Sequence, residues 1–328
     1  MPQKILSGRA DNPRLDEDFV RVRVDQVILA SEPNRVLAAA LQPGLKRLAV
    51  ETAVAYDTHC ITTGSQAELE QLAPQQVMRE AVHWGVVVAR AGIGFPSAVH
   101  LERFAAPARL AITDDPRLAA AGGAGMLTLL ASHEQIAEAL RDGTLMMRPP
   151  RSVQILLSGK IRPFVCVRDL ALELIRRGLR EVIARIDAQH QAPVVLEFAG
   201  PSARLLSVPE RALLCSIAPR LGAIASVFVS DEKTEVYLRD QRRSKAYRAL
   251  VPDPGAPCEE VLTVDLSAID PLLMDLKGEV RPVRDLDGEV VHQAVLGGDI
   301  GTALRDMLAA AALLKSKRVP PDLELLVA

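Results

Sequence analysis

VVLEFAGPSARLLSVPERALLCSIAPRLGAIASVFVSDEKTEVYL, residues Val194–Leu238, has the pattern of a strand, a helix and a second strand. An apolar run rich in β-branched residues ends at Gly200, and a helical pattern follows from Pro209 to Leu221. A second apolar run comes after Gly222, which stands where a helix C-cap is expected. This unit predicts two parallel strands with the helix packed across them, and such sheets bind ligands at the carboxyl ends of their strands.

The composition predicts an α/β protein with more than one domain. A chain of 328 residues exceeds what one hydrophobic core usually supports. Hydrophobic residues make up 49%, enough for buried parallel sheets, whereas aromatic residues are only 3%, which argues against an all-β sandwich. The net charge of −2 gives no bulk attraction to nucleic acid or to an anionic membrane.

Neither a targeting segment nor a metal-binding cysteine motif is visible. The start, MPQKILSGRADNP, lacks an apolar h-region, and no run reaches the roughly 20 apolar residues of a membrane span. We therefore expect a cytoplasmic protein. The cysteines Cys60, Cys166, Cys215 and Cys258 are scattered without a CxxC pair, so their spacing indicates neither a zinc finger nor a local cluster-binding motif.

Proline- and glycine-rich breaks divide the chain into three predicted lobes. The proline pair within 146–151 marks the first break, and the stretch Pro252–Pro257 marks the second. We predict a first α/β lobe over residues 1–149, a second over 150–250 and a third over 251–328.

Polar residues follow two predicted strands of the first lobe. Asp57 and His59 come after one apolar run, and Asp114 and Asp115 come after another. Such positions carry chemistry in many α/β enzymes, but they also serve as caps and turns. The GGAG at 122–125 would let backbone approach a ligand or let a helix pack tightly on a sheet; packing is favoured because no phosphate-loop pattern surrounds it.

Several motifs occur in the order found in one enzyme family. GKIRPFVCVRDLAL at Gly159–Leu172 fits G-K-x-x-x-x-V-x-x-x-D-x-x-L, and Leu196–Gly200 corresponds to V-E-F-x-G. Residues 206–223 and 230–237 follow L-S-x-x-x-R-x-T-L-C-N-M-A-x-E-x-G-A and P-D-E-x-T-x-x-Y, and AVLGGDIGTALRDMLAAAALLKSKRVPPDLELLV is similar to I-G-S-C-T-N-G-R-x-x-D-L-x-x-A-A. The chain thus resembles the large subunit of the aconitase and 3-isopropylmalate dehydratase family, weakly before residue 150 and well after it. The resemblance implies three α/β/α lobes around a central cleft, with the third lobe truncated.

The resemblance also implies a cofactor that these residues do not support. Enzymes of the family hold a [4Fe-4S] cluster on three cysteines, and its open iron binds the substrate as a Lewis acid. The first cysteine position is occupied by Asp299, and the other two fall beyond the end of this chain. We therefore expect no [4Fe-4S] cluster and no iron–sulfur ligand.

The family's proton-transfer positions are changed as well. Its D-H pair aligns with Asp57 and Thr58, so the histidine is displaced to His59, and its D-S-H-T motif aligns with residues 114–117, where Pro116 and Arg117 replace His and Thr. In the N-M-A-x-E segment, Ser216 replaces Asn and Arg220 replaces Glu. Proline transfers no proton and arginine stays charged, so aconitase-type dehydration is not expected.

A first hypothesis uses the carboxylates as a new active site. Asp57, His59, Asp114 and Asp115 would be catalytic, and Asp299 would join Asp57 and Asp114 around a divalent metal such as Mg2+ or Mn2+. The ion would polarise a carboxylate or hydroxyl substrate, with His59 as base. The structural alternative is that these aspartates are caps and helix-start residues.

A second hypothesis needs no cofactor. Lys160, Arg211, Ser216 and Arg220 would bind a small di- or tricarboxylic hydroxy acid, because arginine forks match carboxylates. Surface solvation is the simpler explanation for any single arginine among the 39 basic residues. Arg220 stands out because a charge within an apolar helix should face a cleft or a partner.

A third hypothesis is a non-catalytic binding protein or accessory subunit. Family large subunits that lack a swivelling lobe pair with a small subunit that carries it. The resemblance therefore implies a small-subunit partner for this chain, and a homo-oligomer closing the cleft is the alternative. Among the three hypotheses we favour a repurposed lyase or isomerase.

Overall fold

The computed structural model describes residues 1–41, 47–57, 76–286, 288–298 and 304–327. The strands are β1 (Val20–Arg23), β2 (Gln26–Leu29), β3 (Thr52–Tyr56), β4 (Val87–Ala89), β5 (Leu110–Thr113), β6 (Leu127–Leu130), β7 (Thr144–Met147), β8 (Arg151–Ser158), β9 (Val194–Ala199), β10 (Ala225–Phe228), β11 (Glu260–Asp265), β12 (Leu272–Met274), β13 (Val280–Pro282), β14 (Gln293–Leu296) and β15 (Glu324–Val327). The α-helices are Pro2–Ser7, Pro33–Leu41, Gln76–Ala81, Pro96–Arg103, His133–Asp142, Val167–Arg176, Leu179–His190, Val208–Ile217, Glu232–Asp240 and Leu304–Leu314.

The first sheet is parallel and has the strand order β4-β3-β2-β5-β6. Its side chains alternate between two apolar layers: Ala53 and Ala55 of β3 face one, and Val54 and Tyr56 face the other. A parallel sheet needs cover on both faces, which explains the continuously apolar strands of this region. The predicted α/β class is confirmed.

The second sheet is also parallel, with the order β10-β9-β8-β11. β9, the helix Val208–Ile217 and β10 form the strand–helix–strand unit predicted from 194–238, and β10 pairs with β9. One prediction needs correction, because the apolar run 261–266 was placed in the third lobe. Its strand β11 instead completes the second sheet by pairing with β8 along six residues.

The two sheets pack together in opposite directions. The backbone N–H of Leu130, at the carboxyl end of β6, donates to Ile224 just before β10 begins, at 3.3 Å. At the other end, a Cβ built on Gly125 would lie 3.1 Å from the Cβ of Ser230, just beyond β10. The carboxyl edge of the first sheet therefore lies on the same side as the amino-terminal edge of the second.

The predicted third lobe contains a smaller unit. β14 and β15 pair in parallel, with the helix Leu304–Leu314 between them in sequence, and β12 and β13 form an antiparallel pair. Many of the apolar side chains here are exposed, including Val295, Leu308 and Leu313. Across the ranges given above, no helix has the length and apolar character needed to cross a membrane.

Candidate active site

The candidate site lies at the carboxyl edge of the first sheet. Asp57 follows β3 and Asp114 follows β5, and these strands are the two neighbours of β2. Strands pack about 4.8 Å apart, so the two aspartates lie about 10 Å apart along this edge. Two residues predicted to act with them, His59 and Asp299, lie outside the described residues.

Asp114 holds the turn that follows β2. Its carboxylate accepts hydrogen bonds from the backbone N–H groups of Ala30 at 2.8 Å, Ser31 at 3.2 Å and Glu32 at 2.8 Å. Three donors converging on one carboxylate fix the start of the helix Pro33–Leu41. Asp114 thus has the geometry of a capping residue, which was the structural alternative to a catalytic role. Both of its carboxylate oxygens accept hydrogen bonds from backbone N–H groups.

Asp115 is buried and caps the 3-10 segment Pro116–Ala124. It accepts from the backbone N–H of Arg117 at 2.9 Å and from the Arg117 guanidinium, with Nε at 3.0 Å and Nη2 at 2.8 Å. A bidentate arginine pair stabilises the charged carboxylate strongly. The catalytic role predicted for Asp115 therefore needs correction: the carboxylate starts a helical segment and faces its own arginine.

Asp57 differs from both in its surroundings. Its backbone N–H donates to Ala89 at 2.9 Å, which ties the end of β3 to the end of β4. The residue is half-buried, and burial raises the pKa of its carboxyl above the ordinary value. Burial of this kind favours the protonated form of Asp57 relative to an exposed aspartate.

A second titratable pair at this edge was missed by the sequence analysis. The Glu32 carboxylate accepts from Arg35 Nη1 at 3.1 Å and lies 3.4 Å from His133 Nδ1. A carboxylate on Nδ1 orients an imidazole and directs Nε2 away from it. The signal that could have found His133 was its place at the start of the helix that follows β6, but β6 itself had not been predicted.

Arg220 belongs to a turn beside the second sheet that packs against the first. The helix Val208–Ile217 runs against the segment Pro116–Ala124 in the opposite direction, since a Cβ on Gly123 would meet Ala212 and a Cβ on Gly122 would meet Cys215. The turn that follows the helix, Ala218–Leu221, also contacts this segment. Arg220 is exposed in that turn, and its backbone carbonyl accepts a hydrogen bond from Arg180 Nη2 at 3.0 Å.

The other predicted substrate-binding residues do not join Arg220. Ser216 is buried, and its hydroxyl donates to the Leu213 carbonyl at 2.6 Å. Arg211 is fully buried and bound to Asp231. Lys160 follows β8, at the carboxyl edge of the second sheet; since β8 has eight residues, it lies roughly 23 Å from the amino-terminal edge that faces the site. The structure therefore corrects these three assignments.

Comparison with known proteins gives the chain its family. The model of the aconitase family (aconitate hydratase) matches residues 38–275. The chain belongs to the aconitase family. The resemblance drawn from the motifs is thereby confirmed, although 38–275 leaves out the last segment that contributed to it.

Relatives within the aconitase family agree with this placement. The chain is 28% identical over 223 residues to a probable 3-isopropylmalate dehydratase large subunit of Methanothermobacter thermautotrophicus, covering 67% of this chain and 51% of that protein. It is 26% identical to 3-isopropylmalate dehydratase large subunit 2 of Archaeoglobus fulgidus, and the match covers 99% of this chain and 76% of that protein. It is 27% identical to 3-isopropylmalate dehydratase large subunit 1 of Thermotoga maritima, and the match covers 100% of this chain and 77% of that protein. The chain thus spans about half of the first relative's length and about three quarters of the others'.

The described cysteines do not form the ligand set of an aconitase-family cluster. No three His, Cys, Asp or Glu side chains converge as metal ligands within the described ranges. Cys215 is fully buried, and burial raises the pKa of its thiol to about 12, which opposes the thiolate that a cluster requires. Cys166 precedes the helix Val167–Arg176, and Cys258 lies in the loop before β11. Cys60 lies outside the described residues, as Asp299 does.

A buried histidine supports the end of β3 beneath Asp57. Tyr56 Oη and His100 Nδ1 are 3.1 Å apart, and the His100 ring stacks on Phe104 with centroids 5.4 Å apart. Burial, together with the nearby Arg243 cation, lowers the pKa of His100 to about 3. His100 is therefore neutral near pH 7 and serves as a packing and hydrogen-bonding group.

This histidine predicts a loss of stability in mild acid. The unfolded chain binds a proton on His100 below its usual pKa of 6.5, whereas the folded chain does not until about 3, so stability falls as the pH is lowered between these values. Between pH 7 and pH 5 we expect His100 to lower the free energy of unfolding by about 2 kcal/mol. Urea unfolding at pH 7 and at pH 5 measures this change in the free energy of unfolding. The variant His100→Phe should show a smaller pH dependence; an equal one would contradict the assignment.

Proposed function

We propose that this aconitase-family chain binds a small di- or tricarboxylic hydroxy acid at the carboxyl edge of its first sheet and acts on it as a lyase or isomerase without an iron–sulfur cluster. The observation that supports the proposal is the placement of three kinds of group. Asp57, with its raised pKa, and His133, beside Glu32, follow strands of the first sheet at their carboxyl ends, and Arg220 is exposed in the turn that contacts the segment Pro116–Ala124.

Each group has one role in the proposed elimination. Arg220 binds a substrate carboxylate through its guanidinium fork and offsets negative charge as it develops. His133 Nε2 accepts the proton from the carbon beside that carboxylate, and the C–H electron pair forms the double bond. The C–O bond of the neighbouring carbon breaks, and its oxygen takes the Asp57 proton and leaves as water. Adding water back at the other carbon would complete an isomerisation.

Binding by Arg220 can be tested by ligand-induced stabilisation. Citrate, aconitate, malate and 3-isopropylmalate are added singly to the full chain while the unfolding temperature is recorded. A ligand present at about 100 times its Kd stabilises the folded state by about 2.7 kcal/mol. We expect at least one acid to do so, and we expect Arg220→Met to abolish the shift while changing the stability of the free chain by no more than about 0.5 kcal/mol.

Lys160→Met is the matched control, since this cation lies at the far edge of the second sheet. It should leave the ligand shift intact. A shift lost with Lys160→Met and retained with Arg220→Met would contradict the proposed site. For turnover, Asp57→Asn should keep the ligand shift and lower the rate of any reaction observed by about 100-fold or more.

A second candidate function is supported by Asp114 and Asp115. These aspartates stand at the family's D-S-H-T positions, and both carboxylates are occupied, one by backbone N–H groups and one by Arg117. A chain that keeps the fold but uses these residues as caps fits an acid-binding or accessory subunit. The relatives are named large subunits, which is consistent with a small-subunit partner here. Ligand stabilisation without turnover, also in the presence of a partner chain, would favour this function.

The divalent-metal hypothesis stays a prediction. Asp114 is committed to the backbone, and Asp299 is outside the described residues, so the proposed steps involve no ion. A stabilisation by Mg2+ or Mn2+ that Asp57→Asn removes would restore that hypothesis.

A further inference from the structure

A strongly basic loop, residues 239–248, begins at the end of the helix Glu232–Asp240. Its sequence RDQRRSKAYR contains one acid, Asp240, and the five cations Arg239, Arg242, Arg243, Lys245 and Arg248, although the whole chain has a net charge of −2. Among the described residues, Asp240 lies 3.7 Å from Arg239 Nε, and no carboxylate forms an ion pair with Arg242, Arg243 or Lys245. These three cations can therefore pair with an anion from outside the chain.

Arg242 occupies a backbone position that usually belongs to glycine. Its φ is +59°, its N–H donates to the Arg239 carbonyl at 2.8 Å, and the N–H of Arg243 donates to the Leu238 carbonyl at 2.7 Å. These hydrogen bonds are those of a Schellman motif, in which glycine is favoured because a Cβ is strained at the left-handed residue. The Arg242 side chain is exposed, so packing does not offset this strain. Strain of this kind is common where a side chain is held for a ligand.

The side chains of this loop surround an open cavity of about 590 Å³, which is within the usual size range of small-molecule sites. Its lining, in which no acid of the described residues takes part, consists of Arg242, Arg243, Ser244, Lys245 and Ala246. Arg243 anchors the loop, since Nη1 donates to the Glu102 carbonyl at 3.0 Å and Nη2 donates to the Ala105 carbonyl at 2.8 Å. The cavity thus combines guanidinium, ammonium and hydroxyl donors on a fixed turn, which is the donor set of an anion site.

The charge balance of the cavity favours a dianion. The helices Glu232–Asp240 and Pro96–Arg103 both end at this loop, and each C-terminus carries about half a negative charge. Together they offset about one of the three lining cations, which leaves an excess of about two positive charges. Burial lowers the pKa of the Arg243 guanidinium below its ordinary value, and an anion beside it would offset that cost. A phosphoryl group carries about −1.5 to −2 near pH 7, whereas one carboxylate carries half as much.

We propose that residues 242–246 bind a phosphoryl group, either as free phosphate or as part of a small phosphorylated metabolite. Arg242 and Arg243 donate to its oxygens, Lys245 adds positive charge, and the Ser244 hydroxyl donates a further hydrogen bond. The loop lies away from the candidate active site, because Arg243 contacts the segment that leads into the amino-terminal end of β5, whereas Asp114 follows the carboxyl end. This inference does not depend on the proposed function.

Isothermal titration calorimetry on the full chain tests the proposal, with inorganic phosphate and glucose 6-phosphate as probes and glucose as the uncharged comparison. At about 0.15 M salt, which screens diffuse charge effects, at least one phosphate compound should bind and glucose should not. Tighter binding of glucose 6-phosphate than of inorganic phosphate would identify a phosphorylated metabolite as the source. Arg242→Gly should weaken binding at least tenfold without lowering the unfolding temperature, because glycine adopts the left-handed backbone at little cost. Lys245→Met, at an exposed side chain, should also weaken binding.

Arg239→Met is the matched control, because it removes a neighbouring cation that does not line the cavity and should leave the Kd within about twofold. Arg220→Met should leave phosphate binding unchanged, so that a failure of the phosphate site is distinguished from a failure of the acid site. Absence of binding by both phosphate compounds would overturn the proposal. Equal weakening by Arg239→Met and Arg242→Gly would also overturn it, because the attraction would then come from the charge of the whole loop.

Discussion

Replacing Arg211 by methionine is expected to lower the free energy of unfolding by about 3–5 kcal/mol. The Arg211 side chain is fully buried. Its guanidinium donates to the carbonyls of Leu206 and Val229, each at 3.0 Å, and to both carboxylate oxygens of Asp231 at 2.9 and 3.0 Å. Removing it leaves a largely buried carboxylate without its cation, although the backbone N–H groups of Lys233 and Thr234 still donate to it, and takes these donors from two carbonyls.

Urea unfolding followed by circular dichroism measures this loss. Arg204→Met is the matched control, because it removes an exposed arginine from the same region and should change stability by no more than about 0.5 kcal/mol. In the Arg211→Met background, Asp231→Asn should cost less than it does alone, because the carboxylate has already lost its partner. Equal costs in the two backgrounds would show that the pair is not coupled.

The surroundings of Arg211 show which features could be predicted from the sequence and which could not. The strand–helix–strand pattern of 194–238 was predictable because the periodicity of apolar residues and a helix-ending glycine are local signals. The role of Arg211 was not, since Val229 and Asp231 come within reach only after β10 has paired with β9. The charge of a residue can be read from the sequence, but the hydrogen-bond acceptors that tertiary folding brings next to it cannot.

The reason given for Arg220 was wrong, and its role in binding substrate stays a prediction. It was interpreted as a charge within an apolar helix, but the helix ends at Ile217 and Arg220 follows Pro219 in an exposed turn. Lys160 was grouped with it because both could supply the positive charge that a small di- or tricarboxylate requires. Lys160 and Arg220 lie near opposite edges of the second sheet. This separation depends on the sheet topology, which the sequence alone does not reveal.

The acidic residues show the same division between local and long-range information. Asp57 and Asp114 were predicted at strand ends from the apolar runs before them. Whether each would donate a proton or cap a turn depended on contacts with strands distant in sequence. Glu32 and His133 were missed because their pairing joins residues 101 positions apart in the chain, and β6, which precedes His133, had not been predicted.

Gly123→Ala is expected to be as damaging as the loss of Arg211, by a steric route. A Cβ at Gly123 would lie 2.3 Å from the backbone nitrogen of Ala212 and 2.6 Å from its Cα, and neither atom belongs to a flexible side chain. Gly123 does not have positive φ, so alanine can adopt its backbone conformation without strain. The loss of stability is therefore expected to come from overpacking alone. We expect a loss of about 3 kcal/mol or more in the free energy of unfolding.

Gly8→Ala is the control for the substitution itself, because its Cβ would make only an ordinary contact at 3.6 Å. The Gly123→Ala variant also tests the architecture of the site. Separating the helix Val208–Ile217 from the segment Pro116–Ala124 moves the turn with Arg220 away from the edge with Asp57, so acid-induced stabilisation should fall together with the intrinsic stability. If Gly123→Ala destabilised the chain but kept the full ligand shift, acid binding would not require this helix to pack against the first sheet. Arg220 would then have to bind its carboxylate without support from that contact.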